Sequence, residues 1–237
     1  MNEQNIISKY VPNFITLLSL SSGFTSIRFS LNSEWELAIY LILLATIFDF
    51  FDGWFARKLK SGSNFGAELD SLSDFVSFGV APSCLIYMWS THSLGSLGWG
   101  ATLFFVICSA LRLARFTADI YITNKPIDNN EFFVGLPSPA AAGLILLPLF
   151  IYFEFNLNFI KNGYLNLLIT VIIGFMMISK IPTISLKKIK ISQKFKTWIF
   201  LIFVIVSVAL ISKIWLTLII VSGFYILSIV YTIFKSR

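Results

Sequence analysis

Between positions 49 and 74 stand four aspartates in two pairs. Asp49 and Asp52 are three residues apart, and Asp70 and Asp74 are four apart. On a helix either spacing puts both side chains on one face. Two helices joined by a short loop would bring the four carboxylates together. Anions at such range repel unless divalent cations sit between them. An all-oxygen set, with no His or Cys in the stretch, suits Mg²⁺ or Mn²⁺ rather than zinc. Gly53, Ala56 and Gly66 lie between the pairs and leave room where a phosphate approaches. Arg57 is suited to bidentate phosphate recognition. Two metals, an arginine and open space describe a phosphoryl-transfer site. The bland alternative, helix caps or partners for Arg57, Lys58 and Lys60, accounts for one such aspartate better than for two spaced pairs.

The elements that must position these groups are written in the composition. Of 237 residues, 57% are hydrophobic and 13% charged, against about 25% charged in soluble domains. One soluble core cannot hide so much apolar surface, whereas lipid accepts it in runs of about 20. Eight runs are visible, at 11–30, 36–56, 69–90, 97–117, 134–153, 163–180, 196–211 and 214–234. In hydrocarbon each must be helical, because only then does a single span satisfy its own backbone. The expected fold is therefore all-α, a polytopic membrane protein of about eight transmembrane helices. Residues 2–9 are expected to form a short interfacial helix. With the N-terminus inside, only Arg28, Lys161 and Lys213 of the 18 Lys and Arg fall outside. The positive-inside rule therefore sets N-in/C-in and puts the aspartates on the cytoplasmic side. The expected organisation is a core over 1–180, a basic cytoplasmic linker over 181–195 and a lipid-facing helix pair over 196–237. No signal peptide is expected, since Glu3 and Lys9 precede the first run and no cleavage site follows it. Cys84 and Cys108 sit in apolar runs and form no metal or redox motif.

The residues then fall into a known pattern. Asp49-x2-Asp52-Gly53-x2-Ala56-Arg57-x8-Gly66-x3-Asp70-x3-Asp74 resembles the signature of the CDP-alcohol phosphatidyltransferase family at each of its fixed positions. Within that family the chain is most similar to the bacterial phosphatidylserine synthases. The similarity is carried by Val11–Thr16, Phe65–Pro82, Leu111–Phe116 and Phe133–Ala140, and covers about residues 10–150. Ser73 stands where the resemblance leads one to expect Ala.

The resemblance implies an enzyme that moves the phosphatidyl group of CDP-diacylglycerol to the hydroxyl of L-serine, releasing CMP. It implies two divalent ions on Asp49, Asp52, Asp70 and Asp74, with Asp74 also the general base. It implies a CDP-diacylglycerol site of Asn13, Thr16, Asp52, Gly53, Ala56, Arg57, Gly66 and Asp70. Arg112, Arg115 and Ser138 are the candidates for the serine carboxylate or a substrate phosphate. A homodimer in the bacterial inner membrane, with its active site facing the cytoplasm, is part of the same implication.

Two rival readings fit parts of this pattern. Another acceptor, such as glycerol 3-phosphate, inositol or its phosphate, or choline, leaves the signature unchanged. A divalent-cation transporter also places carboxylates in the membrane, but the outer halves of these spans lack the polar lining that a pathway needs. The net charge of +6 reads as cytoplasmic loops rather than nucleic-acid binding. His92 falls in an outer loop, far from the aspartates, and Asp119, Asp128 and Glu131 read as solvated. Pro137 and Pro139 read as shaping a helix start.

Overall fold

The computed structural model describes residues 3–59, 63–123, 132–179, 182–184 and 193–235. Each of the eight apolar runs is met by helix. Helix α1 covers Glu3–Leu31 and α2 covers Trp35–Lys58. The third run is α3 (Asn64–Asp74), a π-helical turn (Phe75–Val80) and α4 (Ala81–Trp89) in unbroken succession. Helix α5 covers Ser96–Thr123. The fifth run is α6 (Ser138–Ile145) and α7 (Leu147–Phe155), followed by α8 (Gly163–Ile178). Helices α9 (Gln193–Ser212) and α10 (Ile214–Lys235) follow.

Among the described residues, five of these stretches are long and apolar enough to cross a membrane. The α6–α7 pair, bent by 40°, makes a sixth if taken as one span. Helix α8 is apolar but has 16 residues, fewer than the roughly 20 that span hydrocarbon without help. The bend between α6 and α7 has a local cause. Pro148 sits in the first turn of α7, where it brings no N–H and its ring crowds the preceding turn.

Two expectations need correcting. Residues 3–9 do not form a separate interfacial helix; they run into α1 without a break, and Pro12 lies inside that helix. Among the described residues the fold is all-helical as expected, apart from one short ladder. Phe132–Val134 and Pro182–Ile184 pair antiparallel as β1 and β2. Both strands are extended segments beside helix ends, where backbone groups without a helical partner satisfy one another. The ladder takes in part of the expected linker 181–195, most of which lies outside the described residues, as do Lys60, Lys125, Asp128 and Glu131. Finally, α10 is not simply a lipid-facing addition: it packs on α7, α6 and β2 and buries Thr217, Ser222, Ile229 and Thr232.

The interior lies where α2, α4, α5 and α6–α7 meet, around Trp89, Phe78, Phe105, Leu85, Ile145 and Phe150. Helix-on-helix contact in lipid gains little from hydrophobicity, because the tails are as apolar as leucine. Close approach through small residues and interhelical hydrogen bonds replaces it. Helix α1 shows this along one buried stripe, Ser19, Ser22, Ser26 and Ser30. The Ser19 hydroxyl donates to the Ala45 carbonyl of α2 at 2.9 Å. The Ser77 hydroxyl of the π turn donates back to the Ser19 carbonyl at 3.2 Å.

At Gly23 the two backbones nearly touch. A Cβ there would lie 2.6 Å from Ser77 Cα and 2.7 Å from its Cβ, a clash with main chain that no rotamer relieves. Gly23→Ala is accordingly expected to force α1 and the π turn apart, at about 1–3 kcal/mol for overpacking. Thermal unfolding of the purified variant in detergent checks this. A midpoint equal to that of the wild type would show that the contact is not a constraint.

Candidate active site

The acidic stretch begins on the last turns of α2. Asp49 and Asp52 are one helical turn apart there, with Ala56 half-buried and Arg57 exposed beyond them. The chain re-enters at Ser63, whose hydroxyl caps α3 by accepting the Gly66 N–H at 3.0 Å. Helix α3 then carries Asp70, and Asp74 as its last residue, directly before the π turn. Such turns often accompany functional sites because they displace the register of the following helix.

Three side chains hold this segment in place. Ser73, buried, donates to the Thr16 carbonyl of α1 at 3.2 Å. Ser77 makes the bond to Ser19 already described. Ser71 and Thr117 of α5 share a hydrogen bond of 3.2 Å. The serine that stands where Ala was expected is thus a clamp between the acidic helix and α1.

The result is a convergence. One carboxylate oxygen from each of Asp49, Asp70 and Asp74 lies within 4.8 Å of the others. Asp49 comes from α2 and the other two from α3, so tertiary contact has joined the two sequence pairs. Asp52 is outside that set. It is buried, its Oδ2 has no hydrogen-bond partner, and Thr16 lies against it. Two unit charges about 4 Å apart repel by roughly 4 kcal/mol at a protein-surface dielectric. Three mutually close carboxylates therefore need cations or protons. The donor set fits a hard divalent ion: oxygen only, from rigid helices, with a further buried carboxylate oxygen unclaimed beside it.

The remaining candidates fall into place unequally. Gly66 faces Asn13: a Cβ on Gly66 would meet Asn13 Oδ1 at 3.1 Å. Gly53 leaves room for Arg57, whose Nη1 would stand 3.4 Å from a Cβ at that position. Lys58 turns away and lies over the Trp54 ring at 4.5 Å, an aromatic–cation pair suited to a membrane interface.

Arg112 and Arg115 separate. The half-buried Arg112 is within electrostatic reach of Asp74, and its Nη1 donates to the buried Ser138 hydroxyl at 2.5 Å. Arg115 is exposed, and its Nη1 donates to the Ile178 carbonyl at 3.3 Å. That carbonyl ends α8, where a cation also meets the negative end of the helix dipole. Pro137 is the N-cap of α6 and Pro139 lies in its first turn, so this pair does shape the helix start that presents Ser138. His92 is exposed in a short 3₁₀ turn (Thr91–Leu94) beyond the far end of α4.

Sequence reasoning passed over one residue. Tyr225 of α10 brings a buried hydroxyl without a partner to the neighbourhood of Arg112. No spacing in an apolar run signals this, because the contact joins residues more than a hundred positions apart.

Fold and site together define a polytopic helical membrane protein with an acidic centre shared by two successive helices. The chain belongs to the CDP-alcohol phosphatidyltransferase family, whose model matches residues 9–177. That match ends before α9. A CDP-diacylglycerol–serine O-phosphatidyltransferase of Mycobacterium leprae is 38% identical over 172 residues, 73% of this chain and 57% of the relative. A protein of the same name from Helicobacter pylori is 34% identical over 183 residues, 77% of this chain and 75% of the relative. Another, from Bacillus subtilis, is 34% identical over 179 residues, 76% of this chain and 92% of the relative. The chain thus spans little more than half the length of the mycobacterial protein and most of the Bacillus one.

Proposed function

We propose that this protein transfers the phosphatidyl group of CDP-diacylglycerol to the hydroxyl of L-serine, giving phosphatidylserine and CMP. The observation that carries the reading is the meeting of Asp49, Asp70 and Asp74 from separate helices inside the family's signature. The names of the relatives support serine as the acceptor.

Asp49, Asp52, Asp70 and Asp74 would hold two divalent ions, Mg²⁺ or Mn²⁺. When bound, these supply charge neutralisation at the pyrophosphate as CMP departs. Asp74 takes the proton of the serine hydroxyl. The serine oxygen forms a bond to the phosphorus of the diacylglycerol phosphate, and the bond from that phosphorus to the CMP oxygen breaks. Gly53, Ala56 and Gly66 leave space for the cytidine diphosphate. Arg57 and Asn13 border that space, and Thr16 orients Asp52. Arg112, steadied by Ser138, receives the acceptor's carboxylate, with Arg115 at its rim.

The same reading takes eight spans, N-in/C-in, with the acidic centre at the cytoplasmic face of the bacterial inner membrane. Residues 1–180 form the catalytic core, 181–195 a linker and 196–237 a C-terminal helix pair. Two copies would associate as a homodimer. The distribution of Lys and Arg supports the topology.

The deciding assay mixes purified protein, CDP-diacylglycerol, divalent metal and labelled L-serine. Glycerol 3-phosphate, inositol and choline are run in parallel. Serine-dependent CMP release with labelled phosphatidylserine is the expected result. Release with another acceptor alone would overturn the serine reading and leave the chemistry. No release with any acceptor would overturn both.

A further inference from the structure

Among the described residues, six buried side-chain polar atoms lack a partner: Ser26 Oγ, Asp52 Oδ2, Ser109 Oγ, Arg112 Nε, Asn166 Oδ1 and Tyr225 Oη. Hydroxyls on helices, as at Ser26 and Ser109, satisfy themselves by rotating toward their own backbone. Asn166 is already tied to Ser90, Ile160 and Asn162 through its amide nitrogen. Asp52 belongs to the acidic centre. Arg112 Nε and Tyr225 Oη remain, and they come as a pair, each within electrostatic reach of the other. An unpaired guanidinium N–H and an unpaired phenol in a lipid-embedded interior are costly, and neighbouring orphans are a common mark of a ligand's place.

A largely apolar cavity lies beside the pair. Tyr225 lines this cavity of about 280 Å³ between α2, α6–α7 and α10. Pro139 and Ala140, next to the Ser138 that holds Arg112, line it too. A Cβ at Gly143, also in its wall, would meet nothing within 4 Å. Tyr225 brings a phenolic O–H to this cavity, and Arg112, not itself in the lining, is held by Ser138 directly before the wall residues Pro139 and Ala140, with an N–H on a permanent cation left free. The two donors match the oxygens of one anion. Arg112 also stands within electrostatic reach of Asp74. In serine only two carbons separate the hydroxyl from the carboxylate carbon. A carboxylate held at Arg112 therefore leaves the hydroxyl close to Asp74.

We propose that Tyr225, carried by the C-terminal helix α10, determines acceptor specificity: its hydroxyl and Arg112 Nε–H together bind the carboxylate of the amino-acid acceptor whose hydroxyl faces Asp74. The inference rests on the serine reading above and adds to it a residue beyond the segment 9–177 that the family shares. It makes α10 part of the acceptor pocket.

The test compares wild type, Tyr225→Phe and Tyr231→Phe, the last an exposed tyrosine on the same helix. Each is purified as the full chain and assayed with metal, CDP-diacylglycerol and L-serine. Tyr225→Phe is expected to raise the KM for L-serine about tenfold, the scale of one lost hydrogen bond to a charged group. Its kcat at saturating serine and its KM for CDP-diacylglycerol stay within about twofold, and Tyr231→Phe matches wild type. Ethanolamine, which lacks the carboxylate, is used equally poorly by wild type and Tyr225→Phe.

An unchanged serine KM overturns the proposal. A raised KM for CDP-diacylglycerol instead places Tyr225 at the lipid phosphate and overturns it too. Parallel losses in every constant, together with a lowered unfolding midpoint, make Tyr225 structural and do the same. If wild type releases CMP only with an acceptor that has no carboxylate, the serine reading and this inference fall together. Serine use with an indifferent Tyr225→Phe sinks this inference alone.

Discussion

Asp74→Asn is expected to lower CMP release by about a thousandfold or more, with the fold intact. The amide is isosteric with the carboxylate but can neither take a proton nor offer an anionic oxygen to a cation. Losing a general base costs on the order of 10²–10⁴ in rate. The same change also removes one of the three converging carboxylates, so loss of metal affinity compounds it. Stability should move the other way. Asn ends a repulsion among close anions, so the unfolding midpoint without metal is expected to equal or exceed that of wild type. The check is CMP release at saturating substrates beside a thermal scan in metal-free detergent buffer. Activity within tenfold of wild type would remove Asp74 from the reaction. Lost activity with a collapsed midpoint would make its role structural.

Withdrawal of divalent metal is the second large effect. Chelation is expected to abolish CMP release, and Mg²⁺ or Mn²⁺ to restore it. The same ions should raise the unfolding midpoint, because a ligand of the folded state alone stabilises it by about 2.7 kcal/mol at a hundredfold excess over Kd. Asp49→Asn provides the comparison, since it takes away the one ligand that α2 gives to the convergent set. Without metal it should be at least as stable as wild type, and it should gain little when metal is added. If Asp49→Asn is stabilised by Mg²⁺ as fully as wild type, the ion binds elsewhere. That readout does not depend on turnover, so it separates the metal site from the choice of acceptor.

Much of this protein was legible before any folding. The eight apolar runs all became helix because hydrocarbon leaves a lone span no other way to satisfy its backbone. The pairs at 49/52 and 70/74 were legible as helix faces, since periodicity is local, and the spacing through Gly53, Arg57 and Gly66 carried the family. Where long-range contact intervened, local reading failed. The two short strands required segments some fifty residues apart to meet.

What only the tertiary structure decided is the division of labour among residues that look alike in the chain. Asp49 joins Asp70 and Asp74, while Asp52 turns to Thr16. Arg112 holds Ser138 within electrostatic reach of Asp74, while Arg115, three positions on, ends α8. Ser73, an apparent departure from the pattern, pins α3 to α1. Tyr225, one tyrosine in an apolar helix, comes to Arg112 from the far end of the sequence. Composition and period determine which solvent a segment needs and which of its faces is which. Where a face points depends on which neighbour it packs against. In a bilayer that choice rests on close contacts such as Gly23 on Ser77 and on single interhelical hydrogen bonds, and one chain's linear pattern does not encode them.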